Sequence, residues 1–354
     1  MKNKWIRRFV IAGLAIVVSL GLQTGILLFV RNFYLNSDSE VKITTNTSNN
    51  QTKDDVEIKI DANATDIKPS NGGKYLLYIV GETAHVVNFE TGEDKEIDTV
   101  IDENTFLSWH DSDEKLIVSK TNEDGIMGIT MYTYNPKTDS LEQALDYNNE
   151  TRNYTLRNWN DKVSEIRINN VNTIIYLKMD TGWSNYIYKL NISDDTSKIQ
   201  LLTNNIGEYR ILKAYDEIFY EDLDTNKVYL RDKNQSNEVK VDGVDELKLL
   251  GLENNKVYVG KYEDNMISEI YYKDVTEGYD EDKEWTTQPL SESVKQENIA
   301  ICKDGSIYVN NDLEGKVLNL ENSKTTSYEG EFVSIINNKV ISEHDSTIYR
   351  KSLK

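Results

Sequence analysis

Short apolar runs separated by polar turns fill the chain from residue 56 onwards. The most regular runs follow a turn and are rich in β-branched and aromatic residues. They lie at residues 75–78, 115–118, 173–176, 217–220, 256–259, 306–309 and 339–342. Residues of these types favour strands, and no long segment shows the apolar period of a helix. The pattern predicts an all-β domain built from many short strands.

Each of these runs belongs to a larger unit. A strand precedes each run, at 67–70, 106–110, 165–169, 209–213, 246–250, 298–302 and 332–336. Another strand follows it, at 84–89, 131–134, 187–190, 228–231, 270–273, 317–320 and 348–353. A fourth strand completes six units, at 95–100, 141–145, 199–202, 238–241, 285–288 and 325–328. Four strands every 40–50 residues or so are typical of a propeller blade. We therefore predict a seven-bladed β-propeller over residues 56–354; six or eight blades, or two irregular β-sandwiches, are the alternatives.

The seventh unit lacks a fourth strand after residue 353. An unused strand, VEIKI at residues 56–60, lies just before the first unit. Pairing it with residues 348–353 would complete the last blade and cover two strand edges that otherwise favour aggregation. We expect this pairing to close the ring.

Residues 9–30 form an uncharged, apolar stretch of about 22 residues, which is long enough to cross a bilayer as a helix. Four basic residues precede it, in a predicted cytoplasmic tail over residues 1–8. The polar residues 31–55 that follow are typical of a flexible extracellular linker. The sequence predicts a single-pass protein of the cell membrane with its propeller outside the cell. A cleaved signal peptide is the alternative.

The formal net charge of the chain is −20. The first 31 residues hold five basic residues and no acidic one, so the remainder carries −25. This charge disfavours nucleic acid and anionic lipid as partners and tolerates basic protein surfaces. A single cysteine, Cys302, excludes an intramolecular disulfide. Together with the scarcity of proline, this indicates an extracellular protein of a Gram-positive bacterium.

One turn resembles a known repeat. Residues 69–78, PSNGGKYLLY, are similar to the W-S-P-D-G-K-x-[ILV]-x-[FY] repeat of the bacterial TolB-like and dipeptidyl-peptidase N-terminal propellers. Residues 109–118 and 303–308 are weaker copies, and the first of these lacks the proline and glycine. The resemblance implies a propeller at the level of architecture. Peptidases of that group carry a C-terminal hydrolase domain; this chain stops where the propeller closes, so we expect no peptidase activity.

The sequence offers no convergent catalytic or metal-binding motif, and we predict no cofactor. The histidines His85, His110 and His344 fall in three different blades. Cys302 lies in an apolar strand and is predicted to be a core residue. Residues 222–226, DLDTN, begin like a calcium loop, but lysines replace its glycine and its final acid. We interpret this segment as a hairpin turn.

Propellers usually bind through the turns between second and third strands and through the connections between blades. The relevant loops here are 121–128, 146–162, 180–185 and 263–268. Their aromatic and basic residues suit protein or glycan contacts, and the candidate binding residues are Tyr154, Arg157, Trp159 and Trp183. Alternatively, the two tryptophans pack between blades.

Three functions follow from these observations. We expect a non-enzymatic, membrane-tethered extracellular propeller that acts as a binding or scaffold module, with an extracellular or membrane protein, or a glycan of the wall, as its partner. The alternative is an enzyme that acts on an extracellular polysaccharide through carboxylates in the central channel. A third hypothesis is a sensor whose membrane helix pairs with another membrane protein.

Overall fold

The computed structural model describes residues 55–111, 114–144, 153, 154, 156, 158–168, 174–191, 196–212, 215 and 217–354. These residues belong to one compact unit. No helix within the described part is long and apolar enough to span a membrane. The predicted membrane segment, residues 9–30, lies outside it, as do the cytoplasmic tail and nearly all of the linker.

The described residues form seven antiparallel sheets, which are the blades of a β-propeller. The chain begins with β1 (Val56–Lys59). Blade 1 contains β2 (Thr65–Pro69), β3 (Tyr75–Val80), β4 (Thr83–Asn88) and β5 (Asp94–Val100). Blade 2 contains β6 (Thr105–Trp109), β7 (Leu116–Thr121), β8 (Ile129–Asn135), β9 (Ser140–Gln143) and β10 (Asn153–Tyr154). Blade 3 contains β11 (Lys162–Ile168), β12 (Ile174–Asp180), β13 (Asn185–Asn191) and β14 (Thr196–Lys198).

The remaining blades follow the same order. Blade 4 contains β15 (Ile206–Leu212), β16 (Glu217–Asp222), β17 (Lys227–Asp232) and β18 (Gln235–Glu238). Blade 5 contains β19 (Leu247–Glu253), β20 (Lys256–Glu263), β21 (Met266–Asp274) and β22 (Thr286–Val294). Blade 6 contains β23 (Ile299–Ile301), β24 (Ile307–Asn311), β25 (Lys316–Asn319) and β26 (Thr325–Ser327). Blade 7 contains β27 (Glu331–Ile336), β28 (Lys339–His344) and β29 (Thr347–Ser352). Two 3₁₀ turns, Glu123–Gly125 and Gln296–Asn298, lie in the loops.

The first strands of neighbouring blades contact each other, so they surround the central channel. Examples are β6 with β11, β15 with β19, and β27 with β2. We call the four strands of a blade A to D, from the channel outwards. The B–C face is formed by the B–C turns and the connections from each blade to the next. The A–B face, at the other end of the channel, is formed by the A–B and C–D turns.

The predicted ring closure is confirmed. Strand β1 pairs antiparallel with β29, with Val56 opposite Arg350 and Lys59 opposite Thr347. It supplies the outer strand of blade 7, and Ile58 on this strand is buried in the same cluster as Ile348. Because β29 runs towards the A–B face, the antiparallel β1 enters the propeller from that face.

Apolar side chains fill the spaces between blades. One cluster joins Leu77 and Val86 of blade 1 to Leu107 and Leu116 of blade 2. In the same contact, Trp109 of blade 2 donates a hydrogen bond from Nε1 to the Lys68 carbonyl at 2.8 Å. The blades are thus held by a series of small interfaces rather than by one central core.

Two of the turns that carry the sequence resemblance have the same geometry. In blade 1 the Gly73 amide donates to the Ser70 carbonyl at 2.8 Å, and in blade 6 the Gly305 amide donates to the Cys302 carbonyl at 2.8 Å. Both glycines have positive φ, at 72° and 90°, where a side chain is unfavourable. The repeat therefore marks A–B turns, as the resemblance implies.

Some outer strands differ from the prediction. The sequence predicts a strand at residues 199–202, but the outer strand of blade 3, β14, ends just before them, at Lys198. In blade 4 the prediction of 238–241 overlaps β18 only at Glu238. The predicted long loop 146–162 contains β10, which pairs with β8 beyond the end of β9. Outer strands are half-exposed, so their apolar pattern is weak and their ends are poorly marked.

Candidate functional site

The B–C face carries both candidate tryptophans. Trp183 occupies the B–C turn of blade 3, and its side chain is 99% exposed. Trp159 lies in the connection from blade 2 to blade 3 and is 55% exposed. The alternative that the two residues pack between blades is therefore wrong for Trp183, whereas the side chain of Trp159 is partly covered. Arg157 and the side chain of Tyr154 lie outside the described part of the chain.

The exposed apolar side chains are distributed unequally between the two faces. Among the described residues, eight large apolar side chains are exposed; six of them lie on B–C turns or blade connections, and a seventh, Val100, ends β5 at the same face. These seven are Val100, Ile126, Trp159, Trp183, Leu202, Leu223 and Leu313. Only Tyr215 is on the A–B face. Single exposed apolar residues are common on proteins, but their concentration on one face is typical of a contact surface.

The segment around Trp159 is held by its neighbours. Asn122, in the B–C turn of blade 2, donates from Nδ2 to the Trp159 carbonyl at 2.6 Å. Asp161 is buried and accepts a hydrogen bond from the Tyr186 hydroxyl at 2.7 Å. Lys162 forms an ion pair with Glu103 at 2.9 Å. The Trp159 backbone is thereby fixed between blades 2 and 3.

The B–C face is also acidic. At least one carboxylate lies in or beside each of the seven B–C turns: Glu82, Glu123, Asp180, Asp224, Asp264, Asp312 and Asp345. Seven of the 40 basic and three of the 60 acidic residues precede Asp55, so residues 55–354 carry a formal net charge of −24. Apolar and anionic side chains thus share this face.

The central channel holds a second cluster of charged residues. On β11, Arg167 contacts Glu165 at 2.6 Å and Asp111 at 3.7 Å. On β15, Arg210 forms an ion pair with Glu208 and lies 3.9 Å from Glu165. Each carboxylate on these two strands lies at a β-bulge, a feature that redirects side chains. The cluster joins blades 2, 3 and 4 around the channel.

The pKa values of the two channel glutamates shift in opposite directions. Burial raises the pKa of Glu165, and this effect exceeds the opposing effect of Arg167. Burial also opposes the ionisation of Glu208, but Arg210 and Arg167 together hold its pKa below the ordinary value. Burial raises the pKa of the neighbouring Tyr209 as well. The two carboxylates therefore differ in proton affinity although they occupy equivalent positions.

A cavity of about 520 Å³ opens at the A–B end of the channel. Arg167, Arg210 and Lys303 line it, as do the A–B turns of blades 1, 2 and 5. Asparagine amides link the same turns: Asn71 donates to the His110 carbonyl, and Asn254 donates to the Asp304 carbonyl, both at 2.9 Å. These bonds fix the turns that surround the channel mouth.

The remaining candidate residues occupy separate places. His85 stacks on Tyr78 at 4.8 Å in blade 1, His110 is buried after β6, and His344 ends β28. Cys302 is buried as predicted, and burial raises its pKa to about 11. Residues 222–226 comprise the last residue of β16 and the turn to β17, as expected for a hairpin. Within the described ranges, no three His, Cys, Asp or Glu side chains are arranged to hold a metal ion.

Sequence reasoning missed the channel cluster, although the sequence contains a signal for it. Residues 165–168 read Glu-Ile-Arg-Ile and residues 208–211 read Glu-Tyr-Arg-Ile. Both segments occupy the A strand of their blades, and in both the charged residues alternate with buried ones. An alternating Glu-x-Arg pattern on two successive inner strands predicts charged side chains facing the channel.

Comparisons with known proteins support the fold and nothing beyond it. No protein-family model matches the chain, and no curated protein matches it. Among solved structures, an oligogalacturonate lyase in complex with manganese is 12% identical with a TM-score of 0.55, over 85% of this chain and 91% of that one. The Cps50 (Swd1) β-propeller domain of Myceliophteria thermophila is 10% identical with a TM-score of 0.52, over 83% and 98%.

Two further matches among solved structures have TM-scores below 0.5. TolB from Acinetobacter baumannii is 11% identical with a TM-score of 0.38, over 66% of this chain and 56% of that one. The chain spans 47% of the length of a similar prolyl endopeptidase. At such low identities, the two matches with TM-scores above 0.5 show the β-propeller fold and no more.

Proposed function

We propose that this protein is a non-enzymatic, membrane-tethered extracellular β-propeller that acts as a binding or scaffold module at the cell surface. The observation that carries the proposal is the concentration of exposed apolar side chains on the B–C face, where Trp183 is almost fully exposed. Large exposed apolar side chains that are concentrated on one face, with tryptophans among them, are typical of interaction surfaces.

The point at which the chain enters the propeller fits this role. Asp55 lies at the A–B face, where its Oδ1 accepts a hydrogen bond from the Ser352 amide at 3.3 Å. A tether through residues 31–55 would join the propeller at this face. The chain therefore reaches the propeller at the face opposite the B–C face.

Crosslinking on intact cells tests the proposal. Cells that produce the tagged full-length protein are crosslinked, and the captured molecules are identified by mass spectrometry. We expect the protein in the membrane fraction, with a reproducible cell-surface partner that is lost in Trp183→Ala. The matched control is Tyr215→Ala, which removes an exposed aromatic residue from the A–B face and should leave capture unchanged. Capture that is absent, or equal in Trp183→Ala and the parent, would contradict the proposal.

A second candidate function is supported by the opposite pKa shifts of Glu165 and Glu208. Two carboxylates with different proton affinities are what acid–base cleavage of a glycosidic bond requires. If the channel has this activity, the protein turns over an envelope polysaccharide and Glu165→Gln abolishes turnover. The ion pairs that occupy both carboxylates favour a structural role instead, so we rank this function second.

A further inference from the structure

A groove between blades 1 and 2 extends along β5 to the B–C turns of both blades. Its volume is about 750 Å³. The exposed side chains of Glu82, Glu96 and Asp98 line it, and none of the three has an ion-pair partner among the described residues. A surface carboxylate is usually stabilised slightly by a nearby cationic side chain. These three carboxylates can therefore form ion pairs with basic side chains of a partner.

Among the described residues that line the groove, Lys120 is the only lysine, and it is already engaged. Lys120 lies 3.6 Å from Glu123, and the Tyr132 hydroxyl also donates to Glu123 at 2.8 Å. Lys120 and Glu123 therefore compensate each other, and the groove retains the charge of the other three carboxylates. A positive side chain that enters it would meet an uncompensated negative potential.

Apolar side chains continue from the groove across the B–C face. Val100 lines the groove and is itself exposed. Exposed Ile126 lies on the B–C turn of blade 2, Trp159 on the connection to blade 3, and Trp183 on the B–C turn of blade 3. The surface thus presents anionic and apolar groups on successive turns of three consecutive blades.

We propose that the B–C face of blades 1–3 binds a segment of another protein in which lysine or arginine residues are interspersed with large apolar side chains. This inference rests on the proposed function and adds the chemistry of the partner. The basic side chains enter the groove at Glu82, Glu96 and Asp98, and the apolar ones pack against Ile126, Trp159 and Trp183. Charge complementarity of this kind speeds association and selects the partner, while the aromatic contacts supply affinity.

The charge of the propeller makes other occupants less suitable. A second copy of the propeller also carries −24 and would be repelled, and the same holds for nucleic acid and anionic lipid. A neutral glycan could stack on the tryptophans but would leave the three carboxylates uncompensated. A partner with both basic and apolar side chains is complementary to the anionic groups and to the apolar groups of this surface.

Selection from a random peptide library displayed on phage tests the inference without a known partner. The target is the full-length protein in phosphatidylcholine nanodiscs, and empty nanodiscs remove peptides that bind lipid. We expect the selected peptides to be enriched in lysine or arginine together with large apolar residues. We also expect their binding to weaken as salt is raised, because it depends on charge.

A pair of matched variants locates the site. The double variant Glu96→Gln/Asp98→Asn removes two charges from the groove, and Glu90→Gln/Glu93→Gln removes two from the A–B face of the same blade. Binding of a selected peptide should weaken by about tenfold in the first variant and stay unchanged in the second. No enrichment, enrichment without basic residues, or equal effects of the two variants would overturn the inference. If a cell-surface partner is still captured through Trp183, the proposed function stands although this inference fails.

Discussion

At the residue scale, the channel shows how position changes the chemistry of equivalent side chains. Glu165 and Glu208 lie on adjacent A strands, each two residues before an arginine. Burial acts to raise the pKa of both carboxyl groups. Only at Glu208 do Arg210 and Arg167 outweigh this effect and lower the pKa. The nearby positive charges, rather than the position on the strand, therefore determine the direction of each pKa shift.

This difference predicts opposite effects of pH on two matched variants. The folded-state pKa of Glu165 is raised, so its contribution to stability is complete below the ordinary glutamate pKa of about 4.3 and is lost as pH rises through the folded value. Relative to the parent, Glu165→Gln should therefore gain stability as pH rises above about 4.3. Urea unfolding across the acidic range measures this change.

Glu208→Gln is the matched control with the opposite sign. The folded-state pKa of Glu208 is lowered, so its contribution is present above the ordinary glutamate pKa and is lost as pH falls through the folded value. Relative to the parent, Glu208→Gln should be destabilised above that range and should recover at the lowest pH. If both variants changed in the same direction, the assignment of the two shifts would be wrong.

Cys302 should react slowly in the native protein. Its side chain is buried, and burial raises its pKa to about 11. Because only the thiolate reacts, modification by a thiol reagent at pH 8 should be slower than that of a free cysteine by more than about 100-fold. Adding urea should restore the ordinary rate. Rapid labelling of the folded protein would show that the strand is open.

At the scale of elements, the closure of the ring depends on a strand distant in sequence from its partner. β1 contributes only four residues, and Ile58 is its buried side chain. Its pairing with β29 joins the two ends of the propeller, so loss of this contact exposes strand edges in blade 7.

Ile58→Ala should therefore destabilise the protein by about 2–5 kcal/mol, the usual cost of truncating a buried isoleucine. Glu57→Ala is the control, because Glu57 is exposed on the same strand and its loss should change stability by less than about 0.5 kcal/mol. Urea unfolding of both variants makes the comparison. Equal stability of Ile58→Ala and the parent would argue against the closure.

The sequence predicted inner strands better than outer ones for a physical reason. B strands such as β3 and β16 are buried on both faces and appear as continuous apolar runs. The D strands β14 and β18 are polar, so the apolar residues that follow them, such as Ile199 and Val239, were mistaken for the strands themselves. The short β10 has no apolar pattern at all.

At the scale of the whole molecule, the two faces of the propeller differ in character. The A–B face carries linked asparagine-containing turns and receives the chain at Asp55, whereas the B–C face carries most of the exposed apolar groups. The sequence predicted which loops form the B–C face, because strand order fixes it. It did not predict which tryptophan is exposed, since exposure depends on the packing of neighbouring blades.

The central claim is that the B–C face binds a partner at the cell surface. A photo-crosslinking amino acid placed at position 183, or at position 91 in a C–D turn of the opposite face, tests it directly in the full-length protein on intact cells. We predict a reproducible crosslinked partner from position 183 and none from position 91. Crosslinking from position 91 alone, or equally from both positions, would contradict the account.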